Sequence, residues 1–229
     1  MAGGIIMMAI LLSILPVVSA MVLHAAIQLV SNSWRAILWR KHIVWHVTPF
    51  YGLGIVAGVI LISFIEYVPD NAVALIVVGS VPLLAVAAQK FITLSIMNRG
   101  QTFATAMVLT FIQMTGGVVG PLLDLLYNNA PLTRHQIVAT KAMTQSVMHT
   151  VRLVYFGSLI PLLTGREGWP EGLDPVWMLV FMAAAIAGTT TAAPILHRIN
   201  DSHFKGLSRI LIVIISLYCL GRGITLLYQ

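Results

Sequence analysis

The sequence predicts an all-α polytopic membrane protein made of two inverted repeats. Three observations carry that prediction: the scarcity of charge, the way charge is divided among the short links, and an alignment between the two ends of the chain. Of the 229 residues, 59% are hydrophobic and 9% are charged, and the mean hydropathy is +0.94. A soluble domain carries about 25% charged residues and about 45–50% apolar ones, so this chain cannot cover a water-facing surface. That excludes a soluble globular enzyme and a disordered chain. The lone Cys219 excludes an internal disulfide scaffold. At about 20 apolar residues per crossing, the length allows roughly seven to nine crossings.

Apolar stretches fall at about 5–23, 24–39, 46–65, 72–88, 103–127, 137–163, 176–196 and 208–228. Pro16, Pro49, Pro69, Gly116-Gly117, Pro121, Pro131, Pro161 and Pro170 punctuate them and mark turns or broken helices. The longest polar link runs from Thr164 to Asp174, so any chemistry takes place within the bilayer span. Met1 opens directly on Ala-Gly-Gly-Ile-Ile with no basic segment ahead of the apolar run, and no cleavable signal peptide is expected.

The net charge of +6 resides at helix ends and in short links, where basic residues orient a membrane protein rather than bind nucleic acid. Four links are basic: Arg35/Arg40/Lys41, Lys90/Arg99, Arg134/Lys141 and Arg198/Lys205/Arg209, with Asp201 their only acid. Two are acidic: Glu66/Asp70, and Glu167/Glu171/Asp174 beside Arg166. The positive-inside rule puts the first four on the cytoplasmic side and the other two outside. Stretch 103–127 then runs from one cytoplasmic link to another. It is expected to enter, break at Gly116-Gly117 and return by way of Pro121 as a re-entrant hairpin. Irregular backbone at that depth requires surrounding protein or a water-filled cavity, so a mid-membrane cavity is expected.

The hairpin has a counterpart at the start of the chain, where Gly3-Gly4 opens a run to Pro16. The following helices align without gaps, HAAIQLVSNSWRAILW (24–39) against KAMTQSVMHTVRLVYF (141–156). The alignment pairs Ala25 with Ala142, Gln28 with Gln145, Val30 with Val147, Asn32 with His149, and Arg35 with Arg152. The two halves, 1–100 and 101–229, are each expected to hold a broken hairpin followed by three transmembrane helices, the first arm of repeat one being absent. Inverted repeats of this kind characterise secondary transporters, whose site lies at the midplane between the halves.

Candidate site residues follow from spacing. Gln28, Asn32 and Arg35 sit at i, i+4 and i+7, one helix face, and Gln145, His149 and Arg152 repeat the pattern. Charged groups inside a membrane are costly and face an interior. An oxyanion needs donors and positive charge to replace its water, which Arg supplies in a planar fork and amides supplement. Against this, Arg35 is close enough to a basic helix end to snorkel to the surface, whereas Arg152 lies deep in its stretch. Gly116 and Gly117, with Gly3 and Gly4 their counterparts, would turn backbone N–H groups and a half-helix N-terminus toward the anion; close helix packing by small residues is the alternative. His149 is a candidate proton carrier or a neutral cross-helix partner. Asp124 is a candidate proton site, a partner for Arg152, or a pore-wall carboxylate. Gly54, Gly58 and the Ala/Gly/Thr run 183–193 read as packing surfaces. No metal or cofactor motif and no nucleotide-binding loop appears. An intramembrane enzyme lacks its carboxylate pair or nucleophile with a base, while a channel or a structural subunit shares the composition.

The two Gly-Gly openings, "GGVVGPLLDLL" with "VATKAMTQSVMH", "SNSWRAILWRKHI", and the closing "GTTTAAPILHRINDSHFKGLSRILIVIISLYCLGRGI" resemble the sulfite exporter TauE/SafE family of membrane transporters. The resemblance spans nearly the whole chain. It implies a multi-pass protein of a bacterial-type inner membrane that exports sulfite, sulfonates or sulfoacetate. Its partners are then a small sulfur-containing anion and the lipid bilayer.

Overall fold

The computed structural model of the chain describes residues 2–89, 91–165, 169–196 and 201–228, with backbone alone at 2, 193–196 and 201–208. Among the described residues every regular element is a helix: α1 (Ala2–Ile14), α2 (Val17–Leu38), α3 (Thr48–Ser63), α4 (Asn71–Ala88), α5 (Arg99–Gly116), α6 (Gly120–Asn128), α7 (Arg134–Val154), α8 (Ile160–Thr164), α9 (Pro175–Leu196) and α10 (Asp201–Leu227). A π-helical segment, Tyr155–Leu159, joins α7 to α8. Six helical stretches are long and apolar enough to cross a bilayer: Val17–Leu38, Trp45–Ser63, Asn71–Ala88, Arg134–Thr164, Pro175–Ala192 and Arg209–Leu227. Among the described residues these six are fewer than the seven to nine that length allows, because apolar residues there also form helices too short to cross, α1, α6 and α8.

The local chemistry explains the joints. Pro16 has no N–H to donate and disfavours helix in the residue before it, so the first break falls there rather than between residues 23 and 24; α2 runs unbroken through His24. Gly117 ends α5 with φ +74°, a left-handed conformation open to glycine. Pro121 sits in the first turn of α6, where a missing donor costs nothing. Asp70 caps α4 through the Val73 N–H, Asn98 caps α5 through the Gln101 N–H, and Thr133 with Gln136 forms a reciprocal capping box on α7.

Hydrogen bonds between loops sort the ends of the bundle by charge. At one end Asn71 Nδ2 donates to the Leu12 carbonyl (3.3 Å), Ser19 Oγ to that of Glu171 (2.6 Å) and Tyr155 OH to that of Tyr67 (3.0 Å). That end carries Glu66, Asp70, Glu171 and Asp174. At the other, the Val44 N–H donates to Thr140 Oγ1 (2.9 Å) and the Ile96 N–H to the Leu126 carbonyl (2.8 Å). Arg40, Lys41, Arg99 and Arg134 lie there. Lys90, Arg166, Glu167 and Arg198 fall outside the described residues, and Asp201 and Lys205 are described by backbone alone. The Ile96–Leu126 bond also brings the end of α6 back beside the start of α5. With nine residues, α6 rises only about 13 Å, at about 1.5 Å per residue.

Close packing rests on glycine where helices touch. A methyl on Gly54 would run into the Phe103 carbonyl of α5, and one on Gly58 would come within 2.8 Å of Thr110 Cβ. Gly54→Leu is therefore expected to destabilise the protein by roughly 1–3 kcal/mol, the usual range for overpacking, read as a fall in unfolding midpoint in detergent. An unchanged midpoint would remove the close-contact account. The Ala/Gly/Thr run 183–193 behaves differently. Its described side chains are mostly exposed, Gly188 has nothing within 4 Å of an added methyl, and contact with α2 is made by Thr189 to Ser31 (2.8 Å) and Thr190 to Trp34 (3.0 Å).

Candidate functional site

Helices α2 and α7 pack side by side in opposite directions: His24, early in α2, meets Arg152, late in α7. Arg152 is the largest wholly buried side chain, with 0% exposure. Its Nη1 donates to His24 Nδ1 (3.0 Å) and to the Gly117 carbonyl (3.3 Å). Among the described residues its Nη2 faces the thioethers of Met8 (3.8 Å) and Met21, and its Nε–H has no partner. Among the described residues no carboxylate pairs with it.

Guanidinium has donors and no acceptor, so His24 Nδ1 must accept. The His24 proton then sits on Nε2, which donates to the Gly4 carbonyl (3.1 Å). Arg152 and His24 thus tie Gly4, near the start of α1, to Gly117 at the α5–α6 break. The His149 ring lies edge-on to His24 with centroids 5.8 Å apart. Gln113 of α5 donates to His149 Nδ1 (3.3 Å), and its Oε1, also buried, has no partner. One core therefore holds Arg152, two imidazoles and an amide, with donors unspent and positive charge uncompensated.

A second polar group lies toward the basic end. Lys141 of α7 pairs with Asp124 of α6 and donates to the Gly120 carbonyl (3.3 Å). Asp124 is thus the partner of Lys141, not of Arg152. The residues around Gly120 and Gly4 match. His24 contacts Gly4 and Lys141 contacts Gly120, at aligned positions of α2 and α7. A methyl on Gly4 would strike Gln28 Nε2, and one on Gly120 would stand 3.7 Å from Gln145 Nε2. Neither glutamine amide has a hydrogen-bond partner among the described residues, and both side chains are half-buried. Asn32 is buried, donates to the Gln28 carbonyl (2.9 Å) and lies 3.5 Å from half-buried Arg35 near the basic end of α2.

Of the expected glycines, Gly117 touches the core of the site. Gly116 backs onto Val77 of α4, and Gly3 is exposed with nothing near it. Spacing along one helix did not reveal His24, Gln113, Met8, Met21, Lys141 or Gly120 as site residues. The available signal was that His24 and Lys141 each precede a site glutamine by four residues, one turn on the same face. Two cavities, of about 180 and 280 Å³, are lined respectively by Arg40, Trp45, Met143 and Ser146 and by Val56, Ile60, Val154 and Leu159. Neither is the cavity expected at mid-membrane, for neither reaches Arg152.

The six crossing-length helices found among the described residues make this a multi-pass membrane protein, with a polar core buried inside it. No curated protein and no solved structure matches the chain. The profile of the sulfite exporter TauE/SafE family matches residues 1–219 of the 229, and the chain belongs to that family.

Proposed function

We propose that the protein exports small sulfur-containing anions (sulfite, sulfonates or sulfoacetate) across a bacterial-type inner membrane, by alternating access between residues 1–100 and 101–229. The observation that carries this reading is Arg152. A buried charge without a partner costs several kcal/mol, and the missing partner is an anion. Unspent donors at Arg152 Nε and on the Gln28 and Gln145 amides suit an oxyanion giving up its water. Sealing of Arg152 from solvent favours a carrier over an open channel.

The matching Gly4–His24–Gln28 and Gly120–Lys141–Gln145 groups support an inverted repeat. So do the directions of α1 and α6, which leave the level of the glutamines toward opposite ends. The return of α6 to the start of α5 supports a re-entrant hairpin entering from the basic, cytoplasmic side. The family match supports sulfite and its relatives as cargo.

Thermal unfolding of the purified protein with sulfite, methanesulfonate, sulfate and phosphate tests the reading. A ligand held only by the folded state, at about 100 times its Kd, adds about 2.7 kcal/mol of stability. Sulfite or the sulfonate is expected to raise the midpoint selectively, and Arg152→Ala to abolish the rise. Equal shifts with sulfate and phosphate, or none with any anion, would defeat the reading.

A further inference from the structure

Lys141 and Asp124 stand nearer the basic end than Arg152, three turns from it along α7, and their chemistry differs from that of its site in one respect. Arg152 has no counter-charge, whereas Lys141 has one built into the chain. An ammonium has three donors; Asp124 and the Gly120 carbonyl occupy two of them. The third is unspent, and the unpartnered Gln145 amide lies one helical turn away beside the same glycine. Both members of the pair keep 13% side-chain exposure, while Arg152 has none. The pair thus keeps surface at which a proton can reach it, and Lys141 stands two turns from the start of α7 at the basic end.

We propose that Lys141 and Asp124 form a proton-gated inner station for the transported anion; the proposal rests on the transporter reading above. With Asp124 ionised, its carboxylate occupies the place an anion would take on Lys141. A proton from water at the basic end neutralises the carboxylate, and the freed ammonium, with Gln145, receives the oxyanion. No bond other than that to the proton is made or broken. Coupling of this kind is reciprocal: a proton that raises anion affinity is itself held more tightly, by the same factor, once the anion is bound.

Few other charges bear on Asp124. α4, packed against α6, carries no ionisable side chain. α5 carries only Arg99, its first residue, whose guanidinium lies over the Phe50 ring (5.1 Å). Tyr127, one turn along α6, turns its hydroxyl to Thr144 (3.4 Å). On α7, Arg134 and His135 lie in the first turn and His149 and Arg152 lie two turns or more beyond Lys141, which leaves Lys141 as the charge in contact.

The test uses the full chain in vesicles of phosphatidylethanolamine and phosphatidylglycerol, with radiolabelled sulfite and protein-free vesicles as blank. Two rates are read: sulfite–sulfite counterflow without a pH gradient, and uptake driven by acid outside. The gradient alters sulfite's own protonation equally for every variant, so comparison between variants removes that contribution. Asp124→Asn is expected to lose at least tenfold of the gradient-driven accumulation, and its counterflow to lose the parent's dependence on a pH set equal on both sides. Lys141→Gln is expected to lose at least tenfold of both, while remaining monodisperse. Gradient-driven accumulation by Asp124→Asn equal to the parent's would overturn the proposal. So would a parent that performs counterflow but ignores the gradient, which leaves the transporter reading intact. A parent without counterflow overturns both.

Discussion

Replacing Arg152 by Met is expected to abolish sulfite transport while leaving the protein as stable as its parent or more so. The two effects have one cause. Guanidinium at this position is wholly enclosed, bonded to His24 and Gly117 and otherwise facing thioethers. Exchanging buried ionic groups for packed apolar side chains of similar size is often neutral or stabilising, by about 1–4 kcal/mol. Methionine is flexible enough to fill the space beside Met8 and Met21. The same change removes the donor to the Gly117 carbonyl and His24 Nδ1, at about 1–3 kcal/mol for each acceptor left buried and unpaired; if Arg152 were a structural strut, that loss would prevail and lower the unfolding midpoint. Counterflow and thermal unfolding on one preparation separate the cases. A midpoint several degrees lower, or transport at the parent's rate, would retire Arg152 as the anion's counter-charge.

Gly117→Leu is expected to reduce transport to the level of protein-free vesicles. At φ +74° any residue with a Cβ is strained, by about 1–2 kcal/mol. The added carbon would lie 2.6 to 2.8 Å from three atoms of the Arg152 guanidinium, so the arginine must leave its place. Gly117→Ala carries the same backbone strain with a smaller clash and should retain part of the activity. Since Gly116 faces Val77 instead, Gly116→Leu should act through stability, lowering the yield of folded protein. A Gly117→Leu variant that transports like the parent would make the α5–α6 break a packing feature.

The break at Gly116-Gly117 was legible because two basic links flank one apolar stretch, which a single crossing does not fit. Arg152 was legible for a similar reason: an arginine deep in an apolar run has no interface to reach. Its side-chain partners were not legible, since His24 and Met21 come from α2 and Met8 from α1, and helix-to-helix register is not written in any one helix. Asp124 shows the difficulty. Both Arg152 and Lys141 are on α7, three turns apart, or about 16 Å at about 1.5 Å per residue, so the choice between them depends on the depth at which α6 begins. Pro16 was visible as a breaker, yet hydropathy alone carried the first apolar stretch past it.

The contact between α4 and α10 bears on how the protein is made. A methyl on Gly79 would fall 2.6 Å from the Ser216 carbonyl, and one on Gly223 would fall 2.9 Å from the Ala72 carbonyl, so each helix is shaped to the other's backbone. On the ribosome, α10 follows α4 by on the order of a hundred residues, about ten seconds of synthesis. Through that interval the glycine face of α4 waits for its partner, and this contact can close only once α10 itself has been made.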